Sequence, residues 1–73
     1  MPRLTLTGWE EGMHKIAVTH AIQRIAGYGL KRAKDCTDAV LDGNAVVIDD
    51  LDEETAESLA VALRELGVVV RKD

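Results

Sequence analysis

The 73-residue sequence predicts an α+β two-layer sandwich, a three-stranded sheet covered on one face by three helices in the order β-α-α-β-α-β. Three observations predict it. Short runs of strand character at Leu4–Thr7, Ala45–Ile48 and Val68–Val70 are interleaved with longer stretches whose apolar residues recur at helical spacing. Glycine or aspartate stands at most of the junctions. Hydrophobic residues make up 47% of the chain with one Trp, one Tyr and no Phe, so the core has to be aliphatic. At this length a single domain over residues 1–73 is expected, with little stability in reserve.

The first strand alternates apolar and polar residues, Leu4-Thr5-Leu6-Thr7, which turns Leu4 and Leu6 to the core. Trp9 falls on the other parity unless Gly8 introduces a bulge. Glu10-Glu11-Gly12 reads as a turn. The first helix is expected from about His14 to Ala26. Val18, Ala21, Ile22 and Ile25 follow the i, i+3, i+4, i+7 rule and form its inner stripe. Ile16, Thr19, His20 and Gln23 lie off that stripe.

Gly27 suits the position after the last helical turn, where a left-handed backbone favours glycine. Gly29 is expected to let the next helix pack closely. That helix should run from about Leu30 to Leu41, with Leu30, Ala33, Thr37 and Val40 facing inward and Cys36 at the edge of the stripe. Asp42-Gly43-Asn44 is a turn signal ahead of the second strand. Asp52 is a suitable N-cap for the third helix, with Glu53 and Glu54 in its first turn, where the helix dipole favours acids. Ala56, Leu59, Ala60, Leu63 and Leu66 form its stripe; Val61 is apolar but off that stripe, and the sequence alone does not say whether it marks a dimer contact. Gly67 ends the helix, Val68–Val70 is the last strand, and residues 71–73 read as a solvated tail.

Charge divides the chain sharply. Lys15–Lys34 carries five basic residues and no acid, while Asp35–Glu57 carries nine acids and no basic residue. The whole has a net charge of −4, so bulk electrostatics oppose nucleic acid and anionic membranes, and only the basic hairpin favours them. One cysteine excludes an intrachain disulfide and fits a reducing compartment. The N-terminus has no apolar run of signal-peptide length, and no stretch approaches a membrane span, so a cytoplasmic protein is expected.

No chemistry-bearing constellation emerges. His14, His20 and Cys36 are the soft ligands, but six residues separate the histidines along one helix, and no metal-binding spacing exists. The Asp49–Glu54 acids lack the ligand spacing of a calcium loop and read as a solvated helix start. No metal, cofactor or enzymatic activity is expected. The corner Gly27-Tyr28-Gly29 within GYGLKRA has the form of a helix-hairpin-helix nucleic-acid motif, whose turn amides and nearby Lys hold a phosphate. The plain alternative is a helix–helix corner.

The same residues belong to a longer match. The run from Lys15 to Asp35, a following strand, the stretch AESLAVALRELG and a final strand together resemble the C-terminal domain of the bacterial ribosomal stalk protein. The resemblance covers Leu4 to Lys72. It implies the β-α-α-β-α-β fold reached above and a non-enzymatic protein–protein interaction module. In that family the exposed side of the first helix and the start of the second bind translational GTPases such as elongation factors G and Tu. Carried over by position, the contact residues would be Lys15, Ile16, Thr19, His20, Gln23 and Lys34, with Gly29 and Lys31 beside them. The chain departs from the family pattern at Thr19 (usually aliphatic), His20 (Lys), Gln23 (Arg) and Arg32 (Glu). Stalk proteins also carry an N-terminal dimerisation domain and a hinge, so this sequence reads as a free-standing version of the domain. A Clp-protease adaptor shares the fold and is the further alternative, although its Asn-Asp-Asp loop is not found here.

Overall fold

Alternation in the first strand places Leu4 and Leu6 at zero exposure in the centre of the sheet. The computed structural model describes residues 2–72 and contains six elements. They are β1 (Leu4–Trp9), α1 (Lys15–Ala26), α2 (Leu30–Leu41), β2 (Val46–Ile48), α3 (Glu53–Glu65) and β3 (Val68–Lys72). The expected order and architecture are those observed. Strand order is β2-β1-β3, antiparallel throughout.

β1 is the spine. Leu4 pairs with Ile48 on one side and with Lys72 on the other. Leu6 pairs with Val70, but the next pair is Gly8 with Val69, so a bulge at Thr7 shifts the register. Beyond it Trp9 pairs with Val68, which is buried. The bulge thus carries Trp9 to the core side of the sheet, where it lies half-exposed at the margin. β1 therefore extends past Thr7, and Arg71 and Lys72 are paired residues of β3 rather than a solvated tail. The ladder continues through them because Thr5 and Leu4 still offer backbone partners. Ala45 lies just outside β2.

The helices cover one face of the sheet. Val18, Ala21 and Ile22 of α1, Ala33, Thr37 and Val40 of α2, and Ala56, Leu59, Ala60 and Leu63 of α3 are buried as their spacing predicts. Ile25, Cys36 and Leu66 are partly buried at the edge of the core. α1 packs against both α2 and α3 and is the central helix of its layer. Asp52 caps α3, its carboxylate accepting the Thr55 amide at 2.7 Å.

The start of α1 is fixed by the end of α3. The amides of Glu10 and His14 donate to the carbonyls of Gly67 and Leu66 at 2.8 and 3.2 Å. Gly67 has φ +95°, and a Cβ there would stand 3.0 Å from Met13 Cα, so both conformation and space require glycine. Lys72 reaches back from β3 to the carboxylates of Glu53 and Glu57, the latter at 3.1 Å, and ties the sheet edge to the first turns of α3.

Candidate functional site

The basic hairpin folds as two helices around a corner. Gly27 closes α1 in the left-handed conformation, φ 77° and ψ 17°, with its amide donating to Gln23 at 3.1 Å. Gly29 is different. Its backbone is extended at φ −67°, ψ 164°, and a Cβ there would meet nothing within 4 Å. The expectation that Gly29 enables close helix packing is therefore corrected: the corner would accept another residue at that position.

Between α1 and α2 runs a groove of about 200 Å³ lined by Lys15, Ile16, Thr19, His20, Leu30, Lys34, Thr37 and Asp38. Its α1 wall is the pair of adjacent rows Lys15–Thr19 and Ile16–His20, four residues apart in each. Its α2 wall follows i, i+4, i+7, i+8 from Leu30. Ile16 and Leu30 are 68% and 60% exposed and face solvent from opposite walls. Lys15 and Lys34 bring positive charge to the two walls, with Asp38 on the α2 side.

Thr19 forms the floor. It is buried, not outward-facing as its place off the α1 stripe suggested. Its hydroxyl donates to the Lys15 carbonyl at 3.0 Å and lies 2.8 Å from the hydroxyl of Thr37, which also reaches the Ala33 carbonyl at 3.2 Å. The physical reason is that α2 packs beside α1 on that flank, so a residue near the core stripe is covered by the neighbouring helix. Leu30 is the converse. It occupies the first turn of α2, extends the helix past the core and stays in solvent, so its place in the inner stripe is corrected.

Five of the residues anticipated for partner contact, Lys15, Ile16, Thr19, His20 and Lys34, line this groove. Gln23, Gly29 and Lys31 do not: Gln23 is half-buried further along α1, and Gly29 and Lys31 are exposed at the start of α2. Leu30, Thr37 and Asp38 were not anticipated as lining residues. Their signal was the second face of α2, which the i, i+4, i+7, i+8 spacing defines next to the core face.

On the far flank of α2 the Arg32 guanidinium stacks over the Tyr28 ring, 3.8 Å from its centroid. Partial burial holds the Tyr28 phenol and the Cys36 thiol above their ordinary pKa values, with Arg32 opposing the shift in both. Arg32 is thus committed to the corner. Of the four departures from the stalk pattern, only His20 is an exposed side chain of the groove. Among the described residues no three His, Cys, Asp or Glu side chains group so as to hold a metal ion, and no helix is long and apolar enough to cross a membrane.

Known proteins resemble the chain across nearly all of its length. A family profile described as ribosomal protein L7/L12 C-terminal domain matches residues 4–71. The chain is 39% identical over 61 residues to large ribosomal subunit protein bL12 of Flavobacterium psychrophilum, covering 84% of this chain and 48% of that protein. It is 41% identical over 59 residues to bL12 of Porphyromonas gingivalis, covering 81% and 45%. With bL12 of Thermotoga maritima it shares 36% identity over 59 residues, covering 81% and 46%. The chain spans about half the length of these curated relatives.

Proposed function

Because the chain belongs to the ribosomal protein L7/L12 C-terminal domain family, we propose that its α1–α2 groove docks a protein partner of translation, a GTPase of the elongation-factor type. The observation that carries the reading is the placement of Ile16 and Leu30. They are the two most exposed large apolar side chains among the described residues, and they flank one groove together with Lys15 and Lys34. Burying each contributes about 1.5–3 kcal/mol before the costs of association are subtracted. The lysines select an acidic rim on the partner and speed encounter at low salt. The module acts by binding, in the cytoplasm, and performs no chemistry of its own.

Gly29 supports the same reading. Nothing inside the domain requires glycine there, so the bare backbone at the start of α2 is suited to close approach by a partner. Lys31 and Gln23 then belong to the rim of the contact, outside the groove itself.

The test is an amide NMR titration of labelled protein with elongation factor G in its GTP-analogue form, repeated with Ile16→Asp. Shifts confined to residues 15–23 and 29–38, and lost in the variant, are expected. A partner-induced shift pattern elsewhere, or none, overturns the reading. A response to a short duplex instead would favour the helix-hairpin-helix alternative, and one to a peptide bearing an N-terminal degron the Clp-adaptor alternative.

A further inference from the structure

The helical layer presents two unlike halves to solvent. One half is the α1–α2 groove, where Lys15 and Lys34 outnumber Asp38 and Ile16 and Leu30 stand exposed. The other is the outer face of α3, a shallow hollow lined by Glu53, Glu54, Glu57, Ser58, Val61, Ala62 and Glu65. On that face Glu54, Ser58, Val61 and Glu65 form one stripe opposite the buried Ala56–Leu59–Leu63 stripe. Glu53 and Glu57 turn toward Lys72, which leaves Glu54 and Glu65 to bracket Val61. Val61 is 44% exposed, an apolar residue set among acids as Ile16 is set beside a lysine.

We propose that two copies of this domain associate through the helical layer, the α1–α2 groove of each seated on the α3 face of the other. The two halves complement each other in charge and in apolar side chains within one surface. α1 lies between α2 and α3, so the basic and acidic halves are neighbours on the same side of the molecule. A twofold axis between them brings basic onto acidic twice, which makes the surface self-complementary. A standard stable interface takes ~800 Å² from each partner, nearly a fifth of the 4417 Å² that this small domain exposes. The dimer is therefore weak and concentration-dependent. A copy seated in this way covers the groove and closes it to any other partner.

The proposal does not rest on the docking reading above, because its readout uses the chain alone. Sedimentation equilibrium should show a mass rising from 7.9 kDa toward the dimer as concentration increases. The association should weaken about tenfold or more between about 50 mM and about 500 mM salt. Lys34→Glu and Glu65→Lys should each weaken self-association at least about tenfold, since each places like charges at both contacts of the pair. An equimolar mixture of the two variants should form a heterodimer, because both contacts regain opposite charges. Glu65 and Lys34 are exposed, and circular dichroism checks that both variants fold. A chain that stays monomeric at all concentrations overturns the proposal. So does a mixture that associates no better than its components, or a series of species growing past the dimer.

Discussion

The hydroxyls of Thr19 and Thr37 lie 2.8 Å apart in the buried seam between α1 and α2. Each also reaches a carbonyl of its own helix, that of Lys15 or of Ala33. Two hydroxyl protons can fill only two of these three contacts at a time, so when one hydroxyl donates to the other it gives up its own-helix carbonyl. The pair locks together the two walls of the groove, and it does so below the side chains that a partner would touch.

A double-mutant cycle measures this lock. Thr19→Val and Thr37→Val should each cost about 0.5–1.5 kcal/mol in urea unfolding, since each keeps the remaining hydroxyl bonded to its own helix. The double variant should cost less than the sum by about 0.5 kcal/mol or more, because the shared bond is lost only once. Strict additivity would mean the hydroxyls do not interact.

The glycines separate by role. Gly27→Ala should destabilise by about 1–2 kcal/mol, as a side chain is forced into the left-handed region. Gly67→Ala should cost more, because the new Cβ also meets Met13 Cα at 3.0 Å. Gly29→Ala should leave the unfolding free energy within the range of an ordinary surface change, about ±0.5 kcal/mol. If Gly29→Ala nevertheless weakens partner binding several-fold, the glycine serves the interface rather than the fold.

The core is short of alternatives. Leu63 is fully buried in α3, and Leu63→Ala should cost about 2–5 kcal/mol. A domain of this size holds about 5 kcal/mol in reserve, so the variant should be substantially unfolded at physiological temperature by circular dichroism. Val61→Ala, two residues away on the outer face, should leave the unfolding midpoint nearly unchanged.

Stability should fall at both ends of the pH scale, for different reasons. The Thr55 amide holds the Asp52 carboxyl below its ordinary range. That contribution is present above about pH 4 and is lost as pH falls through the lower, folded-state value. The bonds to Glu53 and Glu57 hold Lys72 above its ordinary range. Its contribution is present below about pH 10 and is lost as pH rises through the folded-state value. Asp52→Asn, which still caps, should flatten the acid limb of a stability–pH curve, and Lys72→Met the alkaline limb. A limb unchanged by its substitution would remove that residue from the account.

Period and punctuation in the sequence were enough to read the element order and most of each buried stripe. Val18, Ala21 and Ile22 are buried because their spacing leaves them no other face. What spacing could not supply was which flank of a helix a neighbour covers. Thr19 and Leu30 were each assigned to the wrong side for that reason: one is polar yet enclosed by α2, the other apolar yet beyond the end of the core. Arg71 and Lys72 read as a tail because their pairing depends on Thr5 and Leu4, almost the whole chain away. The bulge at Thr7 was visible only as a parity conflict at Trp9.

The pairing of Leu4 with Lys72 has a use in protein engineering. Partners in an antiparallel ladder stand about 5 Å apart at their Cα atoms, so the two ends of this fold form a ready-made splice point. A host protein could receive the domain in a single surface loop without its own anchor points being pried apart. Joining the same two ends by a short linker would permit circular permutation, with a new opening at the Asp42-Gly43-Asn44 turn and the α1–α2 groove kept whole.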